Sequence, residues 1–468
     1  MITWGVTSGS HDGAISVFEG TNLLFASDAE RFSKIKNDSD ITCVSEYAES
    51  EYGVPDKIYF YENPYLKATR RWYARQKPYL KLPQLGRRGV SYTNHHYSHA
   101  CYGYFTSPYE DCIVISMDAI GEWDSMVIWH ASGRKVKRLI SWTYPKSLGL
   151  MYSAYTQAAG WKPNEEEYIM MGAASVTDHV DSDVVKQIES LWETGFNFHR
   201  GVNHPIKNKH DIDDIPAATQ AVYERAFCKL LDRVTKMEQY NGRVVFVGGC
   251  ALNVKANAHL ASFFDQVYVP CNPGDGGSAI GSVLARHKKH IDPTPYMGKR
   301  IGGKYPVDNI IQELQQQMVV GVANGRAEFG PRSLGNRSLL ADPRCKNIKD
   351  VVNDCKGREL FRPFAPMILK EDVSEYFSGG FDSPYMSCAW KATDDFSFKY
   401  PGVVHYDHTS RLQVVSDGPH RKLLEEWKIA TGCPVILNTS LNVKGQPIVN
   451  DIGDCLAFTK RTGVLILN

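Results

Sequence analysis

Three histidines lie within five residues, in the segment NHHYSHA at residues 94–100. His95 and His99 are four residues apart, so on a helix both imidazoles lie on one face and can share a metal ion, whereas His96 points elsewhere. Taken alone, a pair at this spacing is more often a surface or capping feature than a metal site. The segment therefore needs support from the rest of the chain.

Two aspartates supply that support. Asp118 ends the apolar segment CIVISMD, and Asp275 lies in the loop NPGDGG. Two imidazoles, two carboxylates and water form a donor set that suits Fe(II), Mn or Zn better than Mg or Ca. The sequence predicts such a site and leaves the identity of the ion open. For Asp275 by itself, capping of the following helix is the alternative.

A second group of candidate binding residues lies between Arg326 and Arg362, where six arginines occur among glycines and asparagines. The planar guanidinium suits phosphate and carboxylate oxygens, and each charge-assisted hydrogen bond contributes about 1.5–3 kcal/mol. The segment therefore favours an oxyanion pocket. The alternative is weak surface pairing with the nearby acids Glu328, Asp342, Asp350, Asp354 and Glu359.

A further polar group lies near the C-terminus. The segment CPVILNTSLNVKGQPIV is a predicted buried strand that runs into Asn438, Ser440 and Lys444. Amide and hydroxyl donors with one lysine at a strand end suit phosphoryl or carbonyl oxygens. A polar turn is the alternative.

The elements that must position these residues repeat within the first third of the chain. ITWGVT, the loop SGSHDG, AISVFEG and LLFAS predict a strand, a loop and two strands, and residues 112–143 repeat this order. The repeat predicts a duplicated domain whose facing Gly/Asp loops can hold phosphates. Hairpins with Gly and Asp turns in any mixed α/β protein are the alternative.

Two strand–loop–helix segments follow the repeat. RVVFVGGCALN places Gly248 and Gly249 after a strand and Asn253 at a helix start, and VYVPCNPGDGGSAIG places Gly276 after Asp275. Glycine lets the backbone approach a ligand closely, and a helix N-terminus favours anions. Both loops are candidates for an anionic ligand.

Composition limits the classes of function. The 468 residues, 43% hydrophobic and 22% charged, predict a globular chain of two or three domains, with a Pro/Gly-containing linker near residues 291–300. A net charge of +1 gives no global attraction to nucleic acid or anionic membranes. Eleven scattered cysteines suit reduced thiols. No apolar run spans a bilayer and the start resembles no signal peptide, so we expect no membrane partner and a cytoplasmic location.

Twelve segments, in order from about residue 2 to residue 465, resemble the NodU/CmcH-type O-carbamoyltransferases. They are HDGAISVFEG, DAERFSKIKND, NHHYSHA, SMDAIGEWDS, SLGLMYSAYT, EYIMMGAA, VGGCALN, NPGDGGSAIG, GRAEFGPRSLGNRSLLADPR, GRELFRPFAP, SRLQVV and PVILNTSLNVKGQPIV. The resemblance implies an α/β chain, α+β overall. Its N-terminal domain, residues 1–295, would be a duplicated actin/Hsp70/sugar-kinase-like (ASKHA) domain, and residues 300–468 a YrdC-like α/β domain.

The resemblance also implies a two-step reaction. The YrdC-like domain would make carbamoyl adenylate from carbamoyl phosphate and ATP, with Mg²⁺ accompanying ATP. The ASKHA-type domain would transfer the carbamoyl group to a hydroxyl of an acceptor, and AMP would leave. Small molecules, sugars and hydroxymethylated nucleotides or DNA bases are the acceptors to consider.

Residue roles follow from the resemblance position by position. His95, His99, Asp118 and Asp275 would be the metal ligands, with iron the expected ion. His11 and Asp12 would lie beside the reacting centre, and Glu30 and Arg31 would brace their loop. Gly248, Gly249, Asn253 and Gly276 would contact the nucleotide. Carbamoyl phosphate and the ATP phosphates would be bound by Arg332, Asn336, Arg337, Arg358, Arg362, Asn438, Ser440 and Lys444.

Two features bear on the acceptor. Ile169, in EYIMMGAA, replaces the lysine of the family's EYKVMGLA, and the chain is shorter than many relatives, so its acceptor can differ. Residues 67–88 carry eight basic and no acidic side chains, interleaved with Trp72, Tyr73 and Tyr79. This composition is typical of nucleotide or single-stranded nucleic acid binding. A solvated basic face is the alternative.

Two other functions remain open. One is carbamoylation of tRNA or a nucleotide by chemistry of the threonylcarbamoyl-transferase type. The other is an ASKHA-type nucleotide-dependent binding module, which leaves the arginines without a role. A homodimer is also left open.

Overall fold

The structure, a computed structural model, describes residues 1–9, 12–77, 89–177, 180–202, 214–292 and 294–468. It forms two compact units: the first comprises Met1–Ala29 and Asn37–Pro293, and the second comprises Glu30–Lys36 and Thr294–Asn468. Residues 30–36, inside the predicted first domain, thus belong to the second unit. His11 and residues 78–88 of the basic stretch lie outside the described residues.

The strands are numbered in chain order. They are β1 Ile2–Thr7, β2 Ala14–Glu19, β3 Asn22–Asp28, β4 Lys57–Phe60, β5 Val90–Tyr92, β6 Asp111–Met117, β7 Asp124–Ser132, β8 Lys135–Thr143, β9 Arg243–Val247, β10 Gln266–Tyr268, β11 Tyr296–Ile301, β12 Val319–Ala323, β13 Gly325–Glu328, β14 Arg337–Ala341, β15 Ala365–Leu369, β16 Phe377–Ser378, β17 Ala389–Ala392, β18 Thr409–Arg411, β19 Gln413–Val415, β20 Val435–Ser440 and β21 Ile466–Leu467.

The α-helices are numbered in the same way. They are α1 Glu30–Ser33, α2 Thr42–Tyr52, α3 Pro64–Tyr73, α4 His95–Thr106, α5 Leu148–Ala158, α6 Glu167–Ala173, α7 Ser182–Glu193, α8 Asp214–Thr235, α9 Val254–Asn257, α10 Ser278–His287, α11 Val307–Gln317, α12 Ile348–Lys356, α13 Val373–Tyr376, α14 Asp394–Lys399, α15 Gly418–Thr431 and α16 Ile452–Thr462. Within the described residues, no helix is both long and apolar enough to cross a membrane.

The first unit contains one topology twice. Its sheets have the orders β3-β2-β1-β4-β5 and β8-β7-β6-β9-β10. In each, three strands form an antiparallel meander, and the first of them also pairs in parallel with the fourth. The six strands predicted from the repeat are the two meanders. The predicted α/β class and the predicted duplication within this unit are therefore confirmed.

Burial explains why the central strands are apolar and the edges mixed. Strand β6 is buried at six of its seven positions, as expected for a strand covered on both faces. Strand β8, at the edge of the same sheet, has no buried residue. Short apolar runs thus mark the strands whose ends can carry buried functional residues.

Helices α4 and α10 cross between the halves. α4 follows the first sheet but contacts β6 and β9 of the second, and α10 follows the second sheet but contacts β1. A Cβ at Gly281 of α10 would lie 1.9 Å from the Ser98 carbonyl oxygen of α4, and one at Gly5 of β1 would lie 1.8 Å from the Ala279 carbonyl oxygen. Glycine is required for both approaches. Eleven of the twelve residues of α4 are buried, which explains why the helix has no polar face.

The second unit is built on a six-stranded mixed sheet of order β19-β15-β20-β14-β12-β21. Helices α11 and α15 contact each other and this sheet. Leu314, Leu340, Trp427 and Leu437 are buried in its core, and the Trp427 indole donates to the Val435 carbonyl oxygen (3.0 Å). The α/β class of this unit is confirmed, and its likeness to YrdC domains stays a prediction.

One expectation about the chain at the junction of the two units is corrected. The predicted linker at residues 291–300 includes most of β11, which pairs with β13 and buries Met297 and Ile301. The bracing of the first loop by Glu30 and Arg31 stays a prediction, because residues 10 and 11 of that loop lie outside the described residues. The Arg31 guanidinium donates to the Gly330 carbonyl oxygen (3.0 Å), and both residues belong to the second unit. Local glycine and proline content cannot reveal such long-range partners.

Replacing Gly281 with alanine tests the close approach of α4 and α10. We expect Gly281→Ala to lower the free energy of unfolding by about 1–3 kcal/mol, because the obstructing atom is backbone. Urea denaturation measures the change. Gly89→Ala is the control, since its Cβ would meet nothing within 4 Å in the described structure, and it should cause no such loss. Equal stability of the two variants would refute the close approach.

Candidate metal centre and anion site

The start of α4 is anchored by two polar side chains. Asn94 caps the helix by accepting from the Tyr97 backbone N–H (3.1 Å). The buried Glu122 accepts from the His95 backbone N–H (3.0 Å) and from the Asn94 amide (2.9 Å). A carboxylate is favoured here by the unpaired N–H groups and the helix dipole. The first turn, which carries His95 and His99, is thereby fixed.

Four buried side chains meet at one point, and we term them the His/Asp cluster. His95 and His99 come from α4, Asp118 follows β6, and Asp275 precedes α10. One donor atom of each lies within 4.8 Å of the others. His99 Nε2 is 3.2 Å from Asp118 Oδ2 and 3.3 Å from Asp275 Oδ1. The corresponding distances from His95 Nε2 are 3.3 and 3.7 Å.

The carboxylates make this point favourable for positive charge. Burial lowers the pKa of His95, but Asp275 and Asp118 outweigh it and raise that pKa to about 9. In His99, burial lowers the pKa, but the nearby carboxylates of Asp118 and Asp275 outweigh burial and raise that pKa. Burial opposes ionisation of Asp118, yet the two imidazoles hold its pKa well below the usual value. Protons and a metal ion compete for such a site.

The geometry fits a divalent cation. Within the described chain, His99 Nε2 is buried and makes no hydrogen bond, although two carboxylate oxygens lie within 3.3 Å. Ligands about 2.1 Å from one ion stand about 3.0–3.4 Å apart, which matches three of the four distances. Asp118 Oδ1 accepts from the Ala119 N–H (2.7 Å) and Asp275 Oδ2 from the Tyr61 hydroxyl (3.4 Å), so the other oxygens are left to face the imidazoles.

His96 lies outside the His/Asp cluster, as its spacing predicts. Its Nδ1 is 3.1 Å from Ser116 Oγ, and its Nε2 is 2.9 Å from the Asp124 carbonyl oxygen. Burial and the neighbouring imidazoles lower its pKa to about 3, so the ring is neutral. It ties α4 to β6 and β7.

The predicted catalytic pair is only partly described. His11 lies outside the described residues. Asp12 has a backbone φ of 60°, and its carbonyl oxygen accepts from the Thr7 hydroxyl (3.0 Å). The roles of both residues stay predictions.

The glycines predicted to contact the nucleotide lie close to other groups of the first unit. A Cβ at Gly249 would lie 2.9 Å from Asp118 Oδ1, and one at Gly276 would lie 2.5 Å from Asp28 Oδ1. A Cβ at Gly248 would lie 2.1 Å from the Met117 carbonyl oxygen. Glycine is therefore required at position 248, where the obstructing atom is backbone. Nucleotide binding by these three glycines stays a prediction.

Asn253 has structural partners. Its Oδ1 caps α9 by accepting from the Ala256 N–H (3.1 Å), and its side chain exchanges two hydrogen bonds with the buried Gln220 (3.0 and 3.1 Å). The predicted helix start is confirmed. The contacts of this side chain stabilise the loop, and its role toward a nucleotide stays a prediction.

The structure corrects the expectation for Arg337. Its side chain is 0% exposed, and its guanidinium donates to five backbone carbonyl oxygens, those of Lys299, Asn324, Gly325, Asn336 and Asn450 (2.9–3.4 Å). Phosphate oxygens cannot reach donors held in this way. Asn336 is similarly engaged, since its amide donates to the Arg326 carbonyl oxygen (2.8 Å).

Other arginines of the second unit do approach one another. Burial lowers the pKa of Arg411 well below its usual value, and Arg332, Arg358 and Arg362 lower it further. Among the described residues, Arg411 Nε is buried without a hydrogen-bond partner. We term these four residues the arginine cluster. Like charges held together favour an anionic ligand, which supports the predicted oxyanion pocket for three of the six arginines singled out in the sequence.

The remaining arginines of that segment have structural roles. Arg326 donates to the Met297 and Gly298 carbonyl oxygens (2.7 and 3.2 Å), and Arg344 pairs with Asp342 (2.7 Å). The alternative of pairing with nearby acids therefore holds for Arg344, and in part for Arg362, whose guanidinium lies 3.5 Å from a Glu359 carboxylate oxygen.

The polar residues near β20 surround a buried lysine. Lys356 donates to the Asn442 carbonyl oxygen (2.8 Å) and to Ser440, while burial, then Arg358 and Arg362, lower its pKa well below the usual value. Lys444 forms an ion pair with Glu359.

Asn438, also predicted to bind an anion, is 1% exposed. Its amide donates to the Ser333 carbonyl oxygen (3.1 Å) and to Gln413 Oε1 (2.6 Å). The substrate roles of Asn438, Ser440 and Lys444 stay predictions.

Sequence reasoning missed three residues. Arg411 stands alone in SRLQVV, and Lys356 and Glu122 lie among other charged residues. Only their long-range partners distinguish them. The NHHYSHA motif followed by GEWDS gives a weak hint for Glu122, since an acid near a helix start is a familiar partner.

Comparison with known proteins identifies the class. Residues 56–284 match the family model of the carbamoyltransferase N-terminus, and residues 311–468 match that of the carbamoyltransferase C-terminus. The chain is 30% identical to nodulation protein NolO of Bradyrhizobium diazoefficiens, covering 78% of this chain and 75% of the relative. It is 28% identical to nodulation protein U of Sinorhizobium fredii, covering 93% of each.

Among solved structures, component A of (R)-2-hydroxyglutaryl-CoA dehydratase from Acidaminococcus fermentans matches with a TM-score of 0.39 and 13% identity, covering 62% of this chain and 99% of that one. The chain belongs to the carbamoyltransferase family. It is therefore a transferase, and both the His/Asp cluster and the arginine cluster lie within the matched residues.

Removing one imidazole tests the metal centre without relying on activity. After anaerobic loading with Fe(II) and gel filtration, we expect wild-type protein to retain about one ion per chain. His99→Ala should bind it at least tenfold more weakly, because a ligand is lost. Elemental analysis and competition with a chelator measure this. His130→Ala, which removes an imidazole paired with Asp111 (3.2 Å), should retain the ion; equal retention by His99→Ala would refute the site.

Replacing Arg337 tests its structural role. We expect Arg337→Ala to destabilise the second unit by about 3–5 kcal/mol, because buried carbonyl oxygens lose their donor. Denaturant unfolding measures the change, and Arg300→Ala, at an exposed position, should stay within about 0.5 kcal/mol of wild type. A stable Arg337→Ala protein that fails only in ATP chemistry would restore the substrate-binding interpretation.

Proposed function

We propose that this carbamoyltransferase makes carbamoyl adenylate from carbamoyl phosphate and ATP in its second unit and transfers the carbamoyl group to an acceptor hydroxyl in its first. The observation that carries the proposal is the meeting of His95, His99, Asp118 and Asp275 within 4.8 Å. The arginine cluster supports the adenylation half.

The first step forms carbamoyl adenylate in two reactions. Water releases carbamate and inorganic phosphate from carbamoyl phosphate. A carbamate oxygen then forms a bond to the α-phosphorus of ATP, the bond to the β-phosphate breaks, and pyrophosphate leaves. Apart from water, every species in these two reactions is an anion, and Mg²⁺ accompanies ATP. Arg332, Arg358, Arg362 and Arg411 would hold these oxygens by charge-assisted hydrogen bonds.

In the second step the acceptor oxygen attacks the carbamoyl carbon. The bond from that carbon to the phosphate oxygen breaks, AMP leaves, and the hydroxyl proton passes to a base. We assign His11 or Asp12 to that proton, and Gly248 and Gly249 to the nucleotide. A divalent ion bound by the His/Asp cluster, with Fe(II) favoured over Mn or Zn, would supply Lewis-acid stabilisation of charge on the leaving phosphate.

The experiment separates this function from its alternatives. Protein is incubated with ATP, carbamoyl phosphate and candidate hydroxyl compounds, and products are examined by mass spectrometry. We expect pyrophosphate only when both ATP and carbamoyl phosphate are present, and an acceptor heavier by one carbamoyl group. ATP hydrolysis at the same rate with and without carbamoyl phosphate would contradict the proposal and favour a nucleotide-dependent binding module. Exclusive carbamoylation of tRNA would favour the threonylcarbamoyl-type alternative.

The arginine cluster gives a separate prediction. Arg411→Ala should reduce pyrophosphate formation by about 10²-fold, since a donor to developing charge is lost, while supplied carbamoyl adenylate is still consumed. Arg421→Ala is the control, because Arg421 is already paired with Glu371 and Glu425 and should behave as wild type. Unchanged pyrophosphate formation in Arg411→Ala would remove this cluster from the first step.

A further inference from the structure

A surface cavity of about 550 Å³ lies at the end of α3, lined by Trp72, Tyr73, Arg75, Gln76 and Lys77. Its volume falls in the range of small-ligand sites, about 300–1,000 Å³. Trp72 is 72% exposed and Tyr73 is 67% exposed. Two adjacent aromatic side chains that face solvent offer ring surface to a ligand.

The cavity wall is partly fixed by the fold. Tyr73 contacts Trp123, with ring centroids 5.5 Å apart. The chain turns after α3, where Arg75 has a φ of 56°, and Arg71 Nε donates to the Lys77 carbonyl oxygen (3.2 Å). The Tyr73 ring is therefore held in place, while the Trp72 ring, within the described structure, presents most of its surface to solvent.

Unused hydrogen-bonding groups adjoin the cavity. Within the described residues, Gln76 Oε1 is buried without a partner, as are Nε and Nη1 of Arg70 and Nδ1 of His199. Gln76 Nε2 lies 3.3 Å from His199 Nε2. Burial, then Arg71, lower the pKa of Arg70. Buried groups of this kind cost free energy unless a ligand or water satisfies them.

Charge selects the class of ligand. Among the described residues, the cavity is lined by two cations, Arg75 and Lys77, and by no acid, and Arg70 and Arg71 lie in the last turn of α3. An uncharged sugar would use the rings but leave these cations unused. A base that stacks on Trp72 and a phosphate that meets the cations would use both features.

One loop links the cavity to the His/Asp cluster. Asp118 begins it, a Cβ at Gly121 would lie 2.8 Å from the His95 ring, Glu122 holds the start of α4, and Trp123 contacts Tyr73. Five residues of extended chain span at most about 18 Å. The cavity wall and the metal centre are therefore joined by one short loop, so a ligand that contacts Tyr73 and Trp123 lies near that loop.

We propose that this cavity binds the acceptor, and that the acceptor is a nucleotide, either free or within a single strand, whose base stacks on Trp72 and whose phosphate meets Arg75 and Lys77. The proposal rests on the proposed function for the transfer step alone. Nucleotide binding to the cavity needs neither ATP nor carbamoyl phosphate. The binding proposal and the proposed function can therefore be refuted separately.

The test is an equilibrium binding measurement without ATP or carbamoyl phosphate. A fluorescent single-stranded oligodeoxycytidylate of eight nucleotides is titrated with full-length protein, and dCMP, deoxycytidine and inorganic phosphate are added as competitors. We expect dCMP to displace the probe better than deoxycytidine or phosphate, because it offers both base and charge. Displacement by dCMP at low concentration indicates a free nucleotide as acceptor, and retention of the probe against dCMP indicates a strand.

Variants localise the binding. Trp72→Ala should lower the affinity for the probe by about 5- to 150-fold, as expected for loss of one stacking ring. Lys77→Ala should also lower this affinity and should reduce its dependence on salt concentration. Phe398→Ala removes an aromatic that is 88% exposed in the second unit, and Lys186→Ala removes another surface cation; both should bind as wild type.

The urea unfolding midpoint of Trp72→Ala should equal that of wild type, which shows that the variant is folded. Absence of probe and dCMP binding to wild type, or wild-type affinity in Trp72→Ala, would overturn the proposal. Carbamoylation of another acceptor would still leave the proposed function intact.

Discussion

Two carboxylates buried opposite two imidazoles are the constraint around which the first unit is organised. An ionised carboxylate removed from water costs several kcal/mol unless positive charge compensates it. Asp118 and Asp275 meet that requirement only because α4 brings His95 and His99 within 3.7 Å of them. The position of α4 depends in turn on Gly281, which admits the Ser98 carbonyl oxygen. A small backbone clearance thus supports a charged centre.

Duplication supplies this arrangement. Both imidazoles come from the helix that ends the first half, and both carboxylates come from the second half. The crossing of α4 and α10 brings the two sets together. In the second unit the buried charges are positive instead, because Arg332, Arg358 and Arg362 lie near Arg411. A bound anion would compensate them. The first unit thus offers a site suited to a cation and the second a site suited to an anion.

The sequence predicts features that depend on local period or spacing. The two meanders follow from short apolar runs, and His95 and His99 from their spacing of four. Arg337 could not be distinguished from Arg332, because both lie in one glycine-rich segment and only carbonyl groups as distant as Asn450 reveal which guanidinium is buried. Arg411 carries no local signal at all. Strand β11 was missed because its glycine and its proline neighbours suggested a linker.

The central claim is that the His/Asp cluster holds one cation. Anomalous diffraction from crystals of wild-type protein loaded with Fe(II) or Mn(II) measures this directly. The account predicts a single strong peak about 2.0–2.2 Å from His95 Nε2, His99 Nε2, Asp118 Oδ2 and Asp275 Oδ1. A loaded protein whose peak lies elsewhere, with these four side chains bonded only to one another, would contradict it.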